Sequence, residues 1–166
     1  MTIAADQLQF FLSGGAINTD PNYSIGGAIS SAPVLGVLNN LFRDVNSDEA
    51  SLGRTDYRCV YIKNTSSSAS LYEAEVYVFS QSSGGSNVVI GISPSPVGTT
   101  APLLAVDTLN PSGVAFQETS PSSRISIGTI GPNSAVPVWI KRTTSAGTSF
   151  KELDNFVLKI TGKPFA

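Results

Sequence analysis

The stretch from Tyr57 to Phe79 constrains the fold most, because two runs of alternating side chains flank a short polar segment. Side chains at every second position of a β-strand point to the same side, so such alternation predicts two strands. In the first run one face carries Tyr57, Cys59 and Tyr61, and the other carries Arg58, Val60 and Ile62. In the second run one face carries Tyr72, Ala74, Val76 and Val78, and the other carries Leu71, Glu73, Glu75, Tyr77 and Phe79.

The segment between the two runs, Asn64–Ser70, is too polar for a core and too short for a helix, which favours a turn. Its seven residues allow a hairpin, but they also allow a crossing between two sheets. We expect two late alternating stretches, Ala135–Arg142 and Asn155–Ile160, to be the partners of these strands.

The rest of the chain repeats the pattern of short strand-like runs separated by turn residues. Further runs are Leu8–Leu12, Val88–Ile92, Leu103–Val106, Val114–Phe116 and Arg124–Ile130. Seven or more short strands in 166 residues predict an all-β fold, a β-sandwich of immunoglobulin-like or jelly-roll-like type. A helix is one interpretation of Val34–Phe42, and an irregular segment is the other.

The N-terminal part contains a long segment without sustained periodicity. Residues 13–33 are rich in Gly, Ser, Asn and Pro, and a structureless loop of that length is uncommon inside a compact domain. We therefore predict an extended N-terminal arm, residues 1–45, that packs on its own domain or on a neighbour, and a sandwich domain, residues 46–166. The candidate partner-contact residues of the arm are Phe10, Phe11, Ile17, Tyr23, Ile25 and Ile29.

Charge and composition favour some partners over others. The net charge is −2 and the basic residues are scattered, so we expect no nucleic-acid partner. The first residues lack a basic region and no apolar run is long enough to cross a bilayer, so we expect synthesis in a cytosol and no membrane partner. Charged residues make up only 13%, as expected of a surface that packs against other proteins.

Groups that support catalysis or bind cofactors are scarce in this sequence. It has no histidine and one cysteine, Cys59, so His-based catalysis and Cys-rich metal sites are excluded. Glycine-rich phosphate-binding motifs do not occur. Asp44, Asn46 and Asp48 alternate like the start of a calcium loop, but Glu49 and Thr55 replace its later residues, which favours a solvated loop. We predict no enzyme activity, no cofactor and no small-molecule substrate.

Three residue types allow alternative interpretations. Glu73 and Glu75 lie on one face of a predicted strand, and paired carboxylates are the catalytic groups of glycosidases; a solvent-facing strand surface is the simpler interpretation. Trp139, the single tryptophan, is typical of either a core or a sugar-binding platform. Cys59 is most simply a small buried apolar residue.

Three stretches resemble structural proteins of tailed bacteriophage virions. They are LQFFLSGGAINTDPNYSIGGAIS, DEASLGRTDYRCVYIKN, and GPNSAVPVWIKRTTSAG with the later NFVLKI. The resemblance implies a virion component without catalytic residues. A capsid decoration, or cement, protein on the capsid surface would bind the major capsid protein and itself, as a dimer or trimer. A tail, neck or baseplate component is the alternative, followed by a glycan-binding adhesion module that uses Trp139, Tyr23 or Tyr72.

Overall fold

The computed structural model describes residues 3–37, 39–94, 96–149, 151 and 153–165, and these form a β-sandwich of two antiparallel sheets. The strands are β1 (Leu8–Ser13), β2 (Ile29–Pro33), β3 (Arg54–Asn64), β4 (Leu71–Gln81), β5 (Asn87–Ile92), β6 (Ala115–Gln117), β7 (Ile125–Ile130), β8 (Ala135–Thr144) and β9 (Phe156–Lys163). A six-stranded sheet has the order β2-β1-β3-β8-β5-β6, and a three-stranded sheet has the order β7-β4-β9. The predicted all-β sandwich is confirmed.

The two strands of the Tyr57–Phe79 stretch lie in different sheets, so the polar segment between them crosses the sandwich and is not a hairpin. The side-chain amide of Asn64, which is fully buried, donates to the carbonyls of Ala69 at 2.7 Å and of Ile130 and Gly131 at 3.1 Å each. The expected partners are confirmed, because β3 pairs with β8 and β4 pairs with β9.

The six-stranded sheet buries both of its faces, and the alternation of β3 and β8 accounts for this. Their inner side chains, among them Val60, Ile62 and Val138, pack in the main core between the sheets. Their outer side chains form a second core, here named the outer core, of Tyr57, Cys59, Tyr61 and Trp139 with Ala101 and Leu104. The assignment of β3 side chains to two faces is therefore confirmed.

A β-bulge in β4 changes which side of the strand Leu71 occupies. From Leu71 to Ala74, four residues of β4 lie opposite three residues of β7, Gly128–Ile130, and Glu73 has a φ of 48°. One extra residue reverses the alternation on one side of a bulge. Leu71 consequently joins Ala74 and Val76 in the main core, and its predicted place beside Glu73 is wrong.

Two further segments differ from the sequence-based prediction. Leu103–Val106 is irregular rather than a strand, because its residues cover the outer face of the six-stranded sheet instead of pairing in it. Of the two interpretations of Val34–Phe42, the irregular one is confirmed for its described residues, which form bends and turns, and Leu38 lies outside the described residues. One short helix, α1 (Ser47–Leu52), replaces part of the predicted solvated loop.

The N-terminal segment contributes two strands to the sheet. β1 pairs with β3 over five residues from Leu8 to Leu12, and β2 pairs with β1. The Ser24 hydroxyl donates to the Cys59 carbonyl at 2.6 Å, and the Cys59 amide donates to the Ser24 carbonyl at 2.7 Å. Strands on both sides of the predicted boundary at residues 45 and 46 therefore belong to one sheet.

Candidate interaction surfaces

The two carboxylates considered for glycosidase chemistry are held by separate surface ion pairs. Glu73 contacts Lys163 at 2.7 Å, and Glu75 contacts Arg124 at 3.2 Å. The Arg124 guanidinium also lies 4.8 Å from the centre of the Tyr77 ring. Each carboxylate is thus neutralised by its own cation on the outer side of the small sheet.

Trp139 and Cys59 are both core residues. Trp139 has no exposed surface, so it cannot take part in a sugar-binding platform, and that part of the glycan hypothesis is wrong. Its indole nitrogen is buried without a hydrogen-bond acceptor among the described residues. Cys59 is equally buried, and desolvation raises the pKa of its thiol, which disfavours the reactive thiolate.

The residues considered for calcium binding build the start of a helix instead. The Asn46 side chain accepts a hydrogen bond from the Glu49 amide, and the Glu49 carboxylate accepts one from the Asn46 amide. This reciprocal pair is a capping box, which satisfies two amides at the start of α1. Within the described part of the chain, no group of three or more metal-ligating His, Cys, Asp or Glu side chains occurs.

A cluster of four arginines and three carboxylates lies at one end of the large sheet. Each carboxylate contacts two arginines: Glu49 contacts Arg43 and Arg54, Asp56 contacts Arg54 and Arg142, and Asp107 contacts Arg54 and Arg58. Asp56 and Arg58 are 1% exposed. Charges this deeply buried persist only when they are paired.

The arginine cluster fastens residues 41–49 to the sheet. Arg58 donates to the Leu41 carbonyl at 3.1 Å, and Arg142 donates to the Arg43 carbonyl at 2.8 Å. The guanidinium carbons of Arg58 and Arg142 lie 5.4 and 4.5 Å from the centre of the Phe42 ring, within the range of cation–π attraction. The cluster is therefore a structural fastening for a loop that has little regular structure of its own.

The same contacts alter the titration of the cluster. The Arg43 hydrogen bond holds the pKa of Glu49 at about 2, well below the ordinary 4.5. Desolvation lowers the pKa of Arg58, because burial disfavours the charged form. Glu49 therefore stays ionised at neutral and mildly acidic pH, and its ion pairs with Arg43 and Arg54 persist there.

An exposed apolar surface, here named the arm groove, lies between the N-terminal segment and residues 103–104. Ile17, Tyr23 and Leu103 are 94%, 67% and 69% exposed. Together with Ile25 and Leu104 they line an open groove of about 560 Å³. Large apolar side chains that are clustered and exposed indicate a surface for a partner.

The six predicted arm residues divide into two groups. Ile17 and Tyr23 lie in the arm groove, with Ile25 half-buried at its base. Phe11 and Ile29 pack against the outer core, and Phe10 packs against the main core. The structure thus brings three of the six together at one surface and uses the other three in folding.

A second apolar surface, here named the sheet cleft, opens between the two sheets. It is a cleft of about 740 Å³ between the described residues of 34–45 on one side and β9 with residues 153–155 on the other. Leu35, Val37, Leu153 and Val157 line it and are 42–63% exposed. Phe156 and Leu158, which pack against the main core, form part of its wall.

The arm groove and the sheet cleft belong to opposite faces of the large sheet. Ile25 and Leu104 of the groove pack on the outer core, whereas Phe10 and Leu158 of the cleft pack on the main core. The large sheet therefore separates the two surfaces. The sequence did not predict that Leu103 lines an exposed surface, and it did not predict the sheet cleft, because segments distant in the chain form both. The only signal in the sequence was the presence of leucines close to prolines, such as Leu103 after Pro102.

Comparisons with known proteins add no relative to this description: no family model, no curated protein and no solved structure matches the chain. Among the described residues, no helix is long and apolar enough to span a membrane.

Proposed function

We propose that the chain is a non-enzymatic structural component of a tailed-bacteriophage virion, a capsid decoration protein that bridges neighbouring subunits of the head shell. The resemblance of three stretches of the sequence supports the phage assignment. The observation that carries the bridging role is the pair of exposed apolar surfaces on opposite faces of one rigid sheet.

The physical advantage of two surfaces is an increase in effective concentration. Once one surface is bound, the second meets its partner as an intramolecular event, so modest contacts combine into strong attachment. A sheet that is buried on both faces separates the two surfaces by a stiff layer. In a shell under outward pressure from packaged DNA, such a molecule resists separation of the subunits that it contacts.

A binding assay with purified components tests the proposal. Purified protein is mixed with expanded heads that lack this chain, and with tails from the same phage, and co-sedimentation is measured. We expect binding to heads and not to tails. Binding to tails alone would contradict the decoration role and favour the tail, neck or baseplate alternative.

Substitutions in the arm groove make the assay specific. Covering an apolar side chain of this size contributes about 1.5–3 kcal/mol, so replacing Ile17 and Leu103 by Asp is expected to weaken head binding at least ~10-fold. The free energy of unfolding is expected to stay nearly unchanged, because both side chains are exposed. Leu52→Asp is the matched control, since Leu52 is 81% exposed on α1 and lies outside both surfaces.

A further inference from the structure

The arm groove carries an acidic side chain in its wall. Among the described residues of the groove, Asp20 is the only one whose side chain is charged at neutral pH. Asp20 is half-buried, and its Oδ1 accepts hydrogen bonds from the backbone and side-chain amides of Asn22 at 2.9 and 3.0 Å. In the part of the chain that the structure describes, its Oδ2 accepts no hydrogen bond, and no lysine or arginine forms an ion pair with it. A carboxylate without a counterion in an apolar groove favours a cationic partner.

The turn that Asp20 caps places an aromatic ring in the same wall of the groove. Asp20 is the N-cap of a single 3₁₀ turn, Pro21–Tyr23, and the Tyr23 amide donates to the Asp20 carbonyl at 3.1 Å. Residues three apart in such a turn lie on the same side of it. The wall therefore presents a carboxylate together with a tyrosine that is 67% exposed. A guanidinium group suits both, because it can pair with a carboxylate and stack on an aromatic ring.

Two aliphatic side chains supply the apolar part of the groove. Ile17 and Leu103, from the two segments that cover the outer face of the large sheet, are 94% and 69% exposed. The groove has a volume of about 560 Å³, which leaves room for an aliphatic side chain beside a guanidinium group. An occupant that covered Ile17 and Leu103 would remove their apolar surface from water.

We propose that the arm groove binds a segment of another polypeptide that carries an arginine close to an aliphatic residue. The guanidinium group pairs with Asp20 and lies on the Tyr23 ring, and the aliphatic side chain lies between Ile17 and Leu103. Arginine is one of the residue types that contribute most at the centres of protein interfaces. This inference deepens the proposed function, on which it rests, by naming what one of the two bridging surfaces accepts.

The arginines of this chain argue against a second copy as the occupant. Each of the five forms an ion pair with a carboxylate of its own chain; they are Arg43, Arg54, Arg58, Arg124 and Arg142. A second copy would have to break one of these ion pairs to place a guanidinium group in the groove. Two grooves that faced each other would also bring like charges together. The occupant is therefore a segment of a different chain.

One conservative substitution separates the charge of Asp20 from its role in the turn. Asn caps helical turns as well as Asp does, so Asp20→Asn removes the charge and keeps the turn. Asp6→Asn is the matched control, because Asp6 is exposed and lies outside both apolar surfaces. Asp6 precedes β1 and the groove follows it, so the two sites are on the order of 20 Å apart. We expect neither substitution to change the free energy of unfolding appreciably.

Titration of the full chain with short peptides, followed by NMR of the backbone amides, tests the inference without any virion component. The first probe is a blocked peptide with a leucine and an arginine at alternate positions, which an extended chain places on one side. The second probe has glutamine in place of arginine. We expect the arginine peptide to shift the amide signals of residues 14–25 and 103–104. The glutamine peptide should shift the same signals but bind about 5-fold more weakly.

The variants make the titration specific for the carboxylate. Asp20→Asn is expected to weaken the arginine peptide about 3-fold and to leave the glutamine peptide unchanged, whereas Asp6→Asn should alter neither. Raising the salt concentration should weaken the arginine peptide alone. Asp20→Asn should also weaken binding to heads about 3-fold.

Other outcomes would overturn the inference. They are no binding of the arginine peptide, equal binding of the two peptides, signal shifts confined to residues outside the groove, or equal effects of Asp20→Asn and Asp6→Asn. A concentration-dependent dimer of the protein that Asp20→Asn dissociates would also overturn it, because the occupant would then be a second copy. Head binding that is unchanged by Asp20→Asn would refute this inference alone, and peptide binding without head binding would refute the proposed function alone.

Discussion

Phe42 shows how single residues position a wall of the sheet cleft. Its ring contacts the guanidinium groups of both Arg58 and Arg142, which also bind the backbone of the residues on either side of it. The alternation of β3 predicts that Arg58 faces inward, but not why a charge is tolerated there. The explanation is Asp107, which is 49 residues away in the chain and was therefore not apparent from the sequence.

At the same scale, we expect Glu49→Gln to reduce the free energy of unfolding by about 1 kcal/mol at neutral pH. Glutamine preserves the capping geometry of α1 but loses the ion pairs with Arg43 and Arg54. Because the folded-state pKa of Glu49 is about 2, its charge stabilises the fold above about pH 4.5, and that contribution is lost as the pH falls from there through about 2.

Denaturant unfolding of both proteins between neutral pH and pH 2 checks this expectation. The difference between wild type and Glu49→Gln should be constant at neutral pH and should shrink toward zero in acid. Glu73→Gln is the control: Glu73 and its partner Lys163 are 69% and 62% exposed, so the expected change is below ~0.5 kcal/mol. A difference that grew on acidification would contradict the role given to Glu49.

At the scale of elements, two irregular segments cover the outer face of the large sheet and fasten each other. The Leu104 amide donates to the Ile25 carbonyl at 2.9 Å. The Tyr61 hydroxyl donates to Gly27 at 2.6 Å and accepts from Ala101 at 2.9 Å. These contacts join residues far apart in sequence and without periodicity, which is why the cover, and with it the arm groove, was not predicted.

Gly26→Ala is expected to lift this cover from the sheet. Gly26 has a φ of 98°, and a methyl group there would lie 1.8 Å from the Pro102 carbonyl oxygen. Strain and overpacking together should lower the free energy of unfolding by about 2–4 kcal/mol. Trp139, the single tryptophan, lies under the cover, so its fluorescence should shift to longer wavelength.

Gly84→Ala provides the matched control for that experiment. Gly84 has a φ of 77°, but a methyl group there meets nothing within 4 Å. The expected loss is about 1 kcal/mol, with unchanged tryptophan emission. Equal effects of the two substitutions would show that backbone strain alone, rather than the contact with residue 102, determines the outcome.

At the scale of the whole molecule, side-chain alternation predicted the sandwich and the pairing of β3 with β8 and of β4 with β9. Regular strands that pair in a sheet show the same period-two alternation, so each can be recognised in the sequence. Alternation could not locate the bulge at Glu73, because the order of side chains in the sequence is the same whether or not a bulge interrupts the strand pairing.

We propose that one molecule bridges two subunits through opposite faces of its large sheet. An averaged image of the intact particle at side-chain detail distinguishes this arrangement from its alternatives. We expect this chain at junctions between head-shell subunits, with the arm groove on one subunit and the sheet cleft on another. A chain located on the tail, or attached to the head with both surfaces open to solvent, would contradict it.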